Sequence, residues 1–257
     1  MQAKSLSLDW QDWLERWDRQ QSGHVPDREQ RFQAMLDVLE VMLPADFTAI
    51  DLASGPGSLS KRLLMRFPHA QCVAVDIDPV LLTLGRGALG DMQGRLRWIE
   101  GDLRDAGWIT QLGQEQVDVV LSTTALHWLP VESLIQLYGR LGQLIRPGGI
   151  VLNGDHFTFG PHMPTFAKVV KTMRERKEAS AFSDGGLENW RTWWDALARE
   201  PGMAELFAER ERRFAWREEE DIEPIAELHE VALRHAGFRE VGVLWQNLDN
   251  RILMAVR

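Results

Sequence analysis

Ala49-Ile50-Asp51-Leu52-Ala53-Ser54-Gly55-Pro56-Gly57, followed by Val73-Ala74-Val75-Asp76, is the stretch that decides this fold. It reads as an apolar strand, a tight glycine turn, a helix, and a second strand ending in a carboxylate. Open parallel α/β sheets hold nucleosides at such a place. The turn lets a ligand approach the backbone, and the acid after the second strand takes ribose hydroxyls. Asp51 adds a second constraint, because it ends the first strand just before the turn. A pyrophosphate would be repelled by a carboxylate there, whereas a cationic nucleoside without phosphate would not.

Outward from this stretch the chain alternates between strands and helices. Strands are expected at Thr48 to Leu52, Gln71 to Asp76, Leu96 to Glu100, Val117 to Ser122 and Ile150 to Asn153. The run Val117 to Ser122 is apolar apart from Asp118 and the terminal Ser122, close to what a strand buried on two faces requires. Between them lie helices bearing Leu59, Leu63 and Leu64, then Leu81, Leu82 and Leu84 up to a Gly85–Gly87 break, then Leu134, Leu137 and Leu141. Arg146-Pro147-Gly148-Gly149 ends the last of these for backbone reasons. Before the first strand, Trp10, Trp13, Leu14 and Trp17 make one helical stripe. Pro26 starts a second helix with Phe32, Met35, Leu36 and Leu39 on its apolar face.

After Asn153 the alternation stops. Residues 160–224 have helical periodicity without a strand signal. Phe166, Val169, Val170 and Met173 form one apolar face, and Trp190, Trp193, Trp194 and Leu197 another. A final helix, Ile225 to His235, precedes two strands, Glu240 to Trp245 and Arg251 to Val256, around a turn at Asn247–Asn250.

With 257 residues, 44% hydrophobic and 26% charged, the chain can bury a full core. Its net charge of −9 argues against a broad nucleic-acid footprint. The single cysteine, Cys72, rules out an internal disulfide and any cysteine-based zinc site, and no metal set is expected. Met1 to Trp17 lacks the apolar core of a secretion signal, and no run approaches the ~18 apolar residues needed to span a bilayer. A cytoplasmic protein without membrane partners is the expectation.

At this point the chain resembles the class I S-adenosylmethionine-dependent methyltransferases, of the small-molecule type. The resemblance covers residues 47–153 by motif and residues 225–257 in outline. Asp51 to Gly57 is similar to the family's first motif, Asp76 to its ribose-binding acid, and Gly101-Asp102 to its adenine-contacting motif. Leu144 to Gly149 matches the usual approach to strand five. Ser122-Thr123-Thr124-Ala125-Leu126-His127-Trp128 resembles a loop of the trans-aconitate type. The resemblance implies a Rossmann-like, doubly wound, seven-stranded and mostly parallel sheet with a C-terminal antiparallel hairpin. It also implies S-adenosylmethionine as cofactor, with S-adenosylhomocysteine as product. One departure is Ala53, where the family usually has glycine. Alanine adds a methyl group beside the cofactor and resists positive φ.

The candidate cofactor-binding residues are therefore Asp51, Ala53, Gly55, Gly57, Asp76, Ile77, Asp102, Leu103, Thr123 and Trp128. Gly55 and Gly57 bring backbone N–H groups to the ligand at a helix N-terminus. Ile77 can pack on adenine, Asp102 accept its exocyclic amine, and Leu103 donate from its backbone. A carbonyl near Thr123 can take the cofactor's ammonium, and Trp128 can stack on cofactor or substrate. The candidate catalytic residues are His127, Asp155 and His156, at the ends of strands four and five. A histidine near neutral pKa is suited to base work. The plainer alternatives are a helix-start histidine and an ordinary loop acid with its neighbour. Lys168, Lys171, Arg174 and Lys177 make a basic stripe that reads as a solvated face, or else as a clamp for an anionic substrate.

Four segments follow: an N-terminal helical cap (1–44), the cofactor-binding core (45–154), an inserted helical cap (155–224), and a closing helix with hairpin (225–257). The expected reaction is methyl transfer to a small, partly apolar organic acceptor, with the two aromatic helical segments packed together over a largely apolar pocket. Two competing readings remain: a non-catalytic relative that binds the nucleoside as partner subunit or sensor, and an NAD-dependent oxidoreductase. Asp51, and Ser60 where a third fingerprint glycine would fall, weigh against the latter.

Overall fold

A computed structural model describes residues 8–25, 27–113, 116–183, 187–218 and 225–257. Pro26 and Glu219 to Pro224 lie outside the described residues, so the expected proline start of the second helix is not addressed. Seven strands form one sheet: β1 (Thr48–Leu52), β2 (Gln71–Asp76), β3 (Leu96–Glu100), β4 (Val117–Thr123), β5 (Ile145–His156), β6 (Glu240–Asn247) and β7 (Asn250–Val256). Their order is β3-β2-β1-β4-β5-β7-β6. β1 to β5 run parallel, while β7 pairs antiparallel with β5 and β6. The order reverses beside β1, so the carboxyl ends of β1 and β4 flank the crevice where such sheets bind ligands.

Ten α-helices and two short 3-10 helices, Leu126–Trp128 and Ala215–Glu218, complete the described residues. α1 (Trp10–His24) and α2 (Arg28–Met42) precede the sheet. α3 (Ser58–Arg66), α4 (Pro79–Leu89), the short α5 (Gly107–Thr110) and α6 (Val131–Leu144) are crossovers. α7 (Pro164–Ser183), α8 (Trp190–Ala198) and α9 (Ala204–Phe214) follow β5, and α10 (Ala226–His235) leads into the hairpin. One core packs Ile50, Val75, Val120, Leu137 and Leu233 on one face of the sheet. A second packs Phe32, Leu39, Leu63, Val119 and Leu152 on the other. That face takes α2, so the second N-terminal helix belongs to the sheet's own core.

Two expectations are corrected. β5 is longer than Ile150 to Asn153, because β7 extends its pairing through Gly154, Asp155 and His156. Gly85 and Gly87 do not break α4. A Cβ on Gly85 would lie 2.4 Å from the Trp98 ring, and one on Gly87 would lie 2.5 Å from the Trp10 ring. These glycines are packing sites inside a continuous helix. On α7 only Val170 is buried; Phe166, Val169 and Met173 are exposed.

The tryptophan helices meet as their spacing requires. Trp193 is fully buried, with its ring 5.7 Å from Trp13 and 4.9 Å from Trp17. Leu14, Val80, Leu81, Leu84, Leu197 and Met203 complete this third cluster. α1, α4, α8 and α9 are thereby tied into one body beside the carboxyl edge of the sheet.

Candidate active site

The carboxyl ends of β1 to β5 open into a cavity of about 550 Å³. Ala53, Ser54 and Gly55 line it after β1, Asp76, Ile77 and Asp78 after β2, and Gly101, Asp102 and Leu103 after β3. Thr123, Thr124, His127 and Trp128 line it after β4, and His156 at the end of β5. The caps contribute Trp17, His24, Arg28, Arg174, Trp194 and Arg217. This wall is mixed rather than largely apolar, because arginines and histidines from the caps alternate with the aromatic rings.

The turn after β1 is left-handed at every second residue. Ala53 has φ 52°, Gly55 55° and Gly57 83°. Ala53 thus occupies a conformation that costs an L-residue about 1 kcal/mol. A Cβ on Gly55 would meet only Leu81, at 3.7 Å, so this glycine leaves its backbone open toward the cavity. Gly57 lies outside the lining. It precedes α3, and a Cβ there would come within 2.7 Å of Trp98.

Asp51 is also placed differently from expectation. It is fully buried behind the cavity, where Oδ2 accepts from Ser60 N at 3.1 Å and Ser60 Oγ at 2.7 Å. Burial, only partly offset by those bonds, pushes its carboxyl up to about 7. It holds α3 against β1 instead of facing a ligand. Ser60 is the partner that makes this possible, and the Asp51–Ser60 spacing is the sequence signal for it.

Asp76 does line the cavity. Its Oδ2 accepts from Gly55 N at 2.6 Å and its Oδ1 from Asp78 N at 2.8 Å, so one carboxylate shapes the glycine turn and the loop after β2. Burial and then the Asp78 charge push it up to about 6. Asp102 is held by its neighbour Arg104, whose Nε and Nη2 donate to the carboxylate at 3.0 and 2.6 Å. Trp128 is half-covered: the Arg217 guanidinium sits 4.8 Å from its ring.

His127 and Asp155 form a pair. His127 Nδ1 is 2.7 Å from Asp155 Oδ1, and His127 N donates to Oδ2 at 3.2 Å. Asp155 is fully buried, behind the cavity lining rather than in it. Burial would raise its carboxyl, but His127 and then Arg31 and His156 outweigh this and hold it well below the usual carboxylate range. An ionised Asp155 accepts from Nδ1–H, which leaves Nε2 as the basic nitrogen of neutral His127. His156 turns elsewhere, its Nδ1 lying 3.6 Å from Asp249 Oδ2, which also takes Arg174 Nη1 at 3.2 Å. Of the basic stripe on α7, Arg174 thus reaches the cavity, while Lys177 pairs with Asp27 at 3.2 Å.

Residues 49–149 match the model of a methyltransferase domain family. This stretch is a methyltransferase domain of the class I S-adenosylmethionine-dependent type. The trans-aconitate 2-methyltransferase of Azoarcus sp. (strain BH72) is 32% identical over 136 residues, 52% of this chain and 49% of that protein. The one from Shigella dysenteriae serotype 1 is 30% identical over 140 residues, 54% and 48% of the two chains. The chain spans about half the length of these relatives. Among solved structures, an O-methyltransferase family protein from Burkholderia thailandensis superposes with a TM-score of 0.54 at 18% identity, covering 95% of this chain and 68% of that one. Human N-acetylserotonin methyltransferase does so at 0.50 and 16%, covering 98% and 68%. At such identities these two show the fold.

The methyltransferase domain takes S-adenosylmethionine as its cofactor, and the residues present fit it. The cavity edge carries three carboxylates, Asp76, Asp78 and Asp102, with a backbone opened at Gly55 and apolar Ile77 and Leu103 beside them. These acceptors and apolar side chains suit the ribose and adenine of a nucleoside.

Proposed function

We propose that the protein transfers a methyl group to a small organic acceptor enclosed between the sheet and its helical caps. The observation that carries this reading is the Asp155–His127 pair, whose histidine lies in the cavity wall beside the strand ends with the cofactor motifs. Asp76 would hold the ribose, Ile77 and Leu103 would flank the adenine, and Asp102 its amine. The backbone at Ser54 and Gly55 and the end of β4 at Thr123 would hold the amino-acid end. Bound S-adenosylmethionine supplies an electrophilic methyl group. The chain's own share is alignment, exclusion of water and proton removal, and positioning alone can account for about 7–11 kcal/mol of a barrier.

His127 would accept the acceptor's proton at Nε2, and Asp155 would stabilise the imidazolium formed. Trp17, Phe32, Trp190 and Trp194 supply apolar walls for the acceptor's body, and His24, Arg28, His156 and Arg174 supply polar ones. In this reading α1 and α7 to α9 act as caps, and the sheet with α2 to α6 and α10 as the cofactor-binding body. The acceptor is therefore a small molecule with an apolar part and a polar or acidic group.

The test is a methyl-transfer assay with labelled S-adenosylmethionine against a panel of small carboxylic acids, phenols and amines. Trans-aconitate belongs in that panel, because the relatives are named for it. Production of S-adenosylhomocysteine that depends on one acceptor and is lost in His127→Gln supports the proposal. Cofactor binding without transfer to any acceptor would favour the sensor reading instead.

A further inference from the structure

Arg31, on α2, is fully buried although it carries a charge. Nη1 donates to Asn250 Oδ1 at 2.8 Å, Nη2 donates to Thr123 Oγ1 at 2.7 Å, and Nη2 also donates to Thr124 Oγ1. One guanidinium thus joins α2, the carboxyl end of β4 and the start of β7. Burial pushes it down to about 10, with the Asp155 charge opposing that shift, so it stays a cation at neutral pH. The backbone makes room for it: a Cβ on Gly154, next to Asp155, would lie 3.0 Å from Arg31 Cδ and 3.1 Å from Met35 Sδ. Thr124 has φ 54° and donates its N–H to Gly154 O, so this corner of the sheet needs outside support to keep its shape.

A buried cation without a direct carboxylate contact is costly, and a hydrophobic side chain could fill the same volume. Stability therefore gives no reason for an arginine here. Its surroundings do: the fork ends on two threonines that line the cavity, and its charge acts on the carboxylate that orients His127. We propose that Arg31 is a positioning residue, whose fork fixes the end of β4 for the cofactor and whose charge sets the ionisation of the Asp155–His127 pair. This rests on the reading of His127 as the base.

Other groups face the same pair. Tyr138 from α6, His156 from β5 and His229 from α10 all interact with Asp155. Tyr138 is pushed further up by burial and stays a neutral phenol. Burial pushes His229 down to about 4, so it is neutral as well. Arg31 is the permanent cation in this set, with Arg28 beside it on α2. If Arg31 is neutralised, Asp155 answers mainly to His127, which favours the imidazolium.

Two variants test the two halves of the proposal. Arg31→Gln leaves a shorter polar head and removes the charge together with the fork. The imidazole of His127, followed by NMR on histidine-labelled protein and assigned with His127→Gln, is expected to titrate higher by about half a pH unit or more. The acidic limb of turnover against pH should move with it. An unmoved imidazole in folded Arg31→Gln overturns the charge role. Arg31→Lys keeps the charge and loses the fork. Its His127 should titrate as in the wild type, while S-adenosylhomocysteine binds at least about threefold more weakly in calorimetry. Wild-type affinity in that variant overturns the fork's role. If Arg31→Gln does not fold, Arg31→Met, which fills the volume without a polar head, replaces it in the titration. The imidazole titration needs no acceptor, so absence of methyl transfer would sink the proposed function and leave the charge role to be judged on the NMR alone.

Discussion

His127 donates from Nδ1 to Asp155 Oδ1 across 2.7 Å, and the carboxylate that receives it is wholly buried between β5, α2 and α10. The two residues are 28 apart in sequence and come from adjacent strand ends. Parallel pairing of Thr123 with Gly154 is what brings them together. A buried carboxylate behind a cavity-lining histidine fixes the ring and its tautomer before any substrate arrives.

Asp155→Asn separates that role from cofactor binding. The amide can donate to Nδ1 and thereby place the proton on Nε2, the wrong nitrogen for a base. Turnover is expected to fall by about 10²-fold or more, within the range such base catalysis contributes. Calorimetric affinity for S-adenosylhomocysteine should stay within about threefold, since Asp155 does not line the cavity. A variant with wild-type turnover would remove the pair from the chemistry.

Cofactor binding should carry its own pH dependence. In the proposed site Asp76 accepts ribose hydroxyls more strongly as a carboxylate, and burial raises it to about 6. Below that value it is protonated, so affinity for S-adenosylhomocysteine falls as pH falls. Between pH 7.5 and pH 5 we expect a weakening of roughly tenfold, the ratio set by one proton over one pH unit. In Asp76→Asn the affinity should be low and flat over the same range. A wild-type affinity independent of pH would show that Asp76 does not contact the ligand.

Much of this was legible in the sequence, and the limits follow from physics. The strand–turn–strand unit, Asp76 and the loop before His127 are local patterns, so spacing alone locates them. The tryptophan stripes on α1 and α8 are amphipathic, and each had to find an apolar partner. Asp51 was misplaced because a strand-end acid looks the same whether it faces a ligand or caps the next helix. Only the Ser60 hydroxyl, nine residues on, marks the difference. Arg31 was missed altogether. An arginine on a helix reads as solvated, and nothing local shows that Thr123, Thr124 and Asn250 wait for it. The apolar pocket was overstated for the same reason, because Arg174 and Arg217 turn inward through long-range contacts.

The corrected role of Asp51 is testable through stability. Its carboxyl ordinarily titrates at 3.8 and is raised to about 7 when folded. Between those values the folded state is protonated and the unfolded state ionised, so native stability declines as pH rises through this window. Asp51→Asn keeps an acceptor for Ser60, and its amide nitrogen takes the place of Oδ1, which already lacks a partner. The variant should gain about 2–4 °C in Tm relative to wild type at pH 8, and little at pH 5. A loss of stability that is the same at the two pH values would contradict a buried, proton-hungry acid.

The cap's attachment rests on Trp193. Its ring is enclosed by Trp13, Trp17 and Trp194, the last at 5.0 Å. Trp193→Ala leaves a cavity among these rings and is expected to cost about 3–5 kcal/mol. Deleting residues 1–22 removes two of the same rings and should impair substrate retention and turnover more than S-adenosylhomocysteine binding. A truncated protein with unchanged turnover would show that α1 does not help close the site.

A second attachment joins the cap to the cofactor loop itself. Arg210 on α9 donates from Nε to Asp78 Oδ2 at 2.7 Å while its guanidinium lies 4.1 Å from the Trp194 ring. Asp78 is nearly fully buried and caps α4 through Val80 N and Leu81 N, and its own N–H binds Asp76. Arg213 adds a bond from Nη1 to Ile77 O at 2.9 Å. Two arginines on one helix thus grip the loop that would hold the ribose. In Arg210→Gln the Asp78 charge loses its counter-ion, which makes ionisation of neighbouring Asp76 harder. Affinity for S-adenosylhomocysteine should therefore drop, with its pH midpoint displaced upward from the wild-type position near 6. The cap should also open more readily, so limited proteolysis within residues 199–218 should be faster, and product should protect that segment in wild type more than in the variant. Equal cleavage rates with unchanged affinity would mean that α9 rests on the loop without supporting it.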